Sequence, residues 1–157
     1  MTQYRQPRGR FPPRMEQRQP TYPTDYLRGS YFDDKGNIKC DLLTGTAESL
    51  AKDFGYSGIT STQLRRFFIQ VRAIERQLGQ KEFPELVPSI QGLRSLVANY
   101  VGRGKNTQER QRREYLKRFI DDNVALATRD EKHFKKGFVP HFESIVAYFK
   151  YHFPSRD

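Results

Sequence analysis

Three arginines, Arg65, Arg72 and Arg76, are spaced by seven and four residues within the run TSTQLRRFFIQVRAIERQL at residues 60–78. On a helix that spacing puts all three on one face. A row of guanidinium groups can contact successive phosphates, each through two parallel hydrogen bonds. The only acid close on the same helix, Glu75, is one residue from Arg76, so pairing within the helix is expected to be weak. A second cationic element is Gly102-Arg103-Gly104-Lys105, where two glycines would let a ligand approach the main chain and Arg103 and Lys105 supply charge. Arg66 and Arg94 join these on geometry and charge.

Other chemistries find less support. His133, His141 and His152 include no HExxH pair, and a single cysteine, Cys40, cannot complete a Cys-rich zinc set. The Gly-Lys of residues 104–105 lacks the glycine spacing and the following Ser or Thr of a phosphate-binding P-loop. Asp121 and Asp122 diverge by about 100° on a helix and do not easily face one metal ion. No catalytic residue, metal or cofactor is therefore expected. A hydrolase built on Asp121 or His141 remains a rival reading.

These residues need a scaffold, and the sequence describes one. The chain has 157 residues and a formal net charge of +10, of which +4 lies in residues 1–28 and +6 in the rest. A basic body favours an anionic partner, nucleic acid before an acidic membrane surface. No apolar run is long enough to span a membrane, and no secretory leader is evident, so a cytoplasmic location is expected. Residues 1–25, rich in Pro, Arg and Gln, read as a disordered basic arm, and residues 26–157 as a single domain.

Within that domain, residues 33–37 have turn chemistry that allows a short hairpin. A first helix is expected over residues 41–54, closed by Gly55. A second starts at Thr60, where Gln63 three residues on makes a capping box, and ends at Gly79. Its apolar row, Leu64, Phe67, Phe68, Val71, Ile74 and Leu78, lies roughly 120° from the arginine row. Pro84 and Pro88 each suit a first helical turn, so residues 82–101 read as a short helix and then a longer one. Asn106 or Thr107 caps a helix to about residue 128. A charged helical segment ends at Gly137, and Pro140 starts a last helix. The outcome is an all-α bundle of five to six helices.

Four segments together then resemble a known family. Thr62-Gln63-Leu64-Arg65-Arg66-Phe67-Phe68, Leu93-Arg94-Ser95-Leu96-Val97-Ala98-Asn99-Tyr100-Val101-Gly102-Arg103-Gly104, Phe119-Ile120-Asp121 and His141-Phe142-Glu143-Ser144-Ile145-Val146-Ala147-Tyr148-Phe149-Lys150 resemble the small helical subunit of type III-A CRISPR effector (Csm) complexes. The resemblance runs from about residue 31 to residue 153. It implies a non-catalytic subunit that contacts guide RNA and target RNA, stacks with other copies of itself, and joins the large and backbone subunits, which carry the complex's enzymatic activities. Arg65 and Arg103 fall on the family's basic motifs. Arg66, Arg72, Arg94 and Lys105 complete the expected RNA-binding set from charge and geometry. The alternative is a helical scaffold whose arginines bind acidic surfaces of partner subunits without touching RNA.

Overall fold

The computed structural model describes residues 19–154. Its helices are α1 (Cys40–Leu43), α2 (Gly45–Tyr56), α3 (Ser61–Glu75), α4 (Phe83–Gly102), α5 (Thr107–Ala127) and α6 (Val139–His152), with a π-helical segment, His133–Phe138, running into α6. Among the described residues there is no strand. Two isolated bridges join Phe32 to Ile38 and Leu78 to Lys81. The first closes the predicted turn, where Asp33 Oδ1 accepts from the N–H groups of Lys35 and Asn37. The all-α expectation is met.

α4 packs along α5, α2 packs along α6, and α3 lies against both α6 and α4. The centre is aromatic. Phe119 meets Phe54 edge-on at 5.2 Å and Phe142 edge-on at 5.3 Å, the arrangement that ring quadrupoles favour.

α3 begins where its capping box requires. Thr60 Oγ1 accepts from the Gln63 N–H at 3.2 Å, and Gln63 Oε1 accepts from the Thr60 N–H at 3.0 Å. Leu64, Phe67, Val71 and Ile74 are buried, while Phe68 and Leu78 pack at the core's margin. Burying the four contributes on the order of 6–12 kcal/mol gross, an upper bound before chain entropy. The helix stops at Glu75, and the chain turns through Gly79 at φ +96°.

Three boundaries differ from the sequence reading. Gly55 does not close α2. It lies inside the helix beneath the Phe153 ring, and Gly58, at φ +79°, makes the left-handed turn. α4 is one 20-residue helix with Pro88 inside it. Pro84 and Pro88 are both exposed, so the carbonyl that Pro88 cannot bond is left to water. Gly137 does not end a helix either. A Cβ there would lie 2.4 Å from the fully buried Tyr31 ring, so only glycine lets the helix pass. The wider π turn spans this contact and leads into Pro140, which cannot bond back one turn in an α-helix.

The N-terminal segment also reaches further into the fold than its composition indicates. Residues 1–18 of the expected arm lie outside the described residues. Residues 19–25, assigned to the same arm, lie against α5. Tyr22 is buried and its hydroxyl donates to Asp122 Oδ2 at 2.6 Å. Tyr26 and Tyr31 follow it into the core. Tyr31 O–H donates to Asn123 Oδ1, Asn123 Nδ2 donates to Tyr26 Oη, and Tyr26 Oη lies 2.7 Å from His141 Nε2. His141 Nδ1 faces the Leu42 carbonyl at 2.7 Å, an acceptor, so Nδ1 carries the proton and Nε2 accepts from Tyr26. Every polar side chain in this chain of bonds has a partner.

Candidate nucleic-acid interface

The N-terminal end of α3 and the C-terminal end of α4 are tied by one hydrogen bond. Tyr100 O–H donates to Gln63 Oε1 at 2.9 Å, the same oxygen that caps α3. Phe67 packs edge-on against the Tyr100 ring beneath it. Between the two helix ends runs a cleft of about 440 Å³, with Arg66 on the α3 side and Arg103 on the α4 side. Both arginines are exposed, and neither forms an ion pair among the described residues.

Arg113 from α5 forms part of the same wall. Its guanidinium lies 4.3 Å from the centre of the Tyr100 ring, and it donates to the Tyr100 carbonyl and to Glu109 Oε1. With its charge spent on three protein groups, Arg113 fixes the cleft's shape. The Lys105 N–H donates to Glu109 Oε2, and that bond, followed by the nearby Arg113 charge, holds the Glu109 carboxyl below its ordinary range.

The six expected residues are not all gathered here. Arg66 and Arg103 line the cleft. Arg65 is exposed on α3 outside its lining. Arg72 does pair, against expectation: its Nη1 donates to Glu75 Oε1 at 2.9 Å, three residues on, and it stacks toward Phe68. Sequence reasoning measured Glu75 from Arg76 and overlooked its i, i+3 relation to Arg72. Arg94 lies 3.6 Å from Asp121 and bonds Gln91, linking α4 to α5. Lys105 is exposed in the loop before α5.

Gly104 has a structural use instead of the expected ligand approach. A Cβ there would lie 2.8 Å from the Arg110 side chain and 3.0 Å from its backbone N. Gly102 faces open space. Sequence reasoning missed Gln63 and Tyr100 as a lock, because the residues are 37 apart and each already had a local explanation. The Glu109–Arg113 spacing of four was a usable signal for the third.

The residues of the hydrolase reading are engaged elsewhere. Asp121 is paired with Lys117 at 2.7 Å and Arg94, while Asp122 accepts from Tyr22. His141 is wholly buried. Among the described residues, no three Asp, Glu, His or Cys side chains come together to hold a metal ion. No described helix is long and apolar enough to cross a membrane.

Fold and composition define a small, basic, all-helical protein. A family model described as Csm2 Type III-A matches residues 37–155, and the chain belongs to that family. It is therefore a subunit of the type III-A CRISPR complex. No curated protein and no solved structure matches the chain.

Proposed function

We propose that this subunit is non-catalytic and contacts the sugar–phosphate backbone of guide and target RNA in the cytoplasm, alongside the large and backbone subunits and other copies of itself. The observation that supports the reading is the α3–α4 cleft, which Arg66 and Arg103 both line without an acidic partner among the described residues. Arg65 and Lys105 extend the same charge along the surface. Arg72 and Arg94 enter as secondary contacts, since each must share its charge with Glu75 or Asp121. Such contacts ignore sequence, because base pairing with the guide supplies specificity.

A salt titration of RNA binding tests this. Arg66→Ala combined with Arg103→Ala is expected to flatten the log–log slope by about 1.4–1.8, one increment of about 0.7–0.9 for each lost phosphate contact. An unchanged slope in a folded double variant would overturn the assignment.

The scaffold alternative has one observation in its favour. Ile69 is 57% exposed between Arg65 and Arg76 on the outer face of α3, and an apolar residue there suits a protein partner. On that reading the isolated chain binds no RNA, and Ile69→Asp blocks assembly with the partner subunits.

A further inference from the structure

The turn from Tyr56 to Thr60, which joins α2 to α3, has opposite chemistry on its two sides. On one side Ser57 is 2% exposed, and its Oγ is buried without a hydrogen-bond partner among the described residues. Native proteins seldom leave a buried hydroxyl unpaired without a reason. Ser57 lines a cleft of about 260 Å³ with the N-terminal ends of α3 (Thr60) and α5 (Asn106) and with Arg112. Helix starts and guanidinium groups both favour an anion. Glu109 also lines this cleft, but both its oxygens are held, by Lys105 N–H and by Arg113. Arg112 forms no ion pair among the described residues.

On the other side the surface is aromatic. Tyr56 is 65% exposed and meets the Phe153 ring edge-on at 5.8 Å. Phe153 in turn lies 5.0 Å from Phe149. These last two rings line a second cleft of about 310 Å³, which also borders Thr60. Thr60 thus separates a cationic recess from an aromatic one.

We infer that this turn is a subsite for one unpaired nucleotide of RNA, with a phosphate at Ser57 and Arg112 and the base on Tyr56 and Phe153. The inference rests on the RNA reading above and adds a base contact to it. An acidic peptide would satisfy the cationic recess and leave the rings bare. A duplex keeps its base faces stacked, so the occupant is single-stranded.

The test uses the full chain at low salt with two probes: single-stranded oligouridylate, and a ribose–phosphate oligomer of equal length without bases. Tyr56→Leu is expected to weaken oligouridylate about tenfold, to leave the abasic oligomer unchanged, and to keep the salt slope. Ser57→Ala and Arg112→Gln are expected to weaken both probes by about three- to tenfold. Ser57→Ala should also raise the melting temperature, because it removes an unpaired buried hydroxyl. If the unaltered chain binds both probes and Tyr56→Leu changes neither, or changes both equally, the subsite is overturned and the backbone reading stands. If Tyr56→Leu binds RNA normally but fails to assemble, the rings belong to a protein partner and the subsite is again overturned. If the unaltered chain binds neither probe, the RNA reading itself fails and the subsite falls with it.

Discussion

His141 carries the clearest pH signal at the level of single residues. Burial pushes its pKa down to about 4, from an ordinary 6.5. The folded imidazole stays neutral because burial disfavours its charge by more than the Leu42 carbonyl, which accepts from Nδ1, favours it. The unfolded chain binds the proton first. Stability is therefore full above pH 6.5, falls as the pH drops toward 4, and levels off for this group below that. The loss is on the order of 3 kcal/mol. Chemical denaturation at pH 7.5, 5.5 and 4.5 should show it, and His141→Gln should remove it. Glu109 and Asp130, both held below their ordinary range, act at lower pH. The arginines separate by the same kind of local accounting. Arg72→Ala removes a half-exposed pair with Glu75 and should cost less than about 1 kcal/mol in stability.

Helix existence was legible at the level of elements; helix boundaries were legible only where a side chain marked them. Thr60 and Asn106 cap as their types require, and both starts follow. Pro88 misled because its cost depends on whether the freed carbonyl meets water, which spacing does not reveal. Gly55, Gly104 and Gly137 misled for a shared reason: each glycine is there for a close neighbour, and the neighbour is distant in sequence for two of them. A pair of substitutions separates these cases. Gly137→Ala drives a methyl into Tyr31, which is fully buried and cannot move aside, and should cost about 2–3 kcal/mol or more. Gly55→Ala meets the partly exposed Phe153 ring, which can swing outward, and should cost less. Thermal melts of the two variants check the order.

On the scale of the whole molecule, the basic class and the helical fold were readable from charge and periodicity, and the cleft was only half readable. Arg65, Arg66 and Arg103 were all named from the sequence, but which of Arg65 and Arg66 lines the cleft with Arg103 depends on how α3 is rotated against α4, and spacing alone does not give that rotation. The N-terminal segment was least legible, since three tyrosines among prolines and polar residues show no helical period. Yet Tyr22, Tyr26 and Tyr31 bond to partners 92 to 115 residues away. Bonds of such sequence separation are expected to form late in folding. During synthesis the segment emerges well before its partners Asp122, Asn123 and His141 and waits, unattached, until they have left the ribosome. Closing so long a loop belongs near the end of the folding path, after the helices have packed. Tyr26→Phe should therefore raise the unfolding rate by about 5- to 30-fold, for a loss of about 1–2 kcal/mol, and leave the folding rate nearly unchanged. These three tyrosines are made well before the residues they bond and are among the last side chains to find their place.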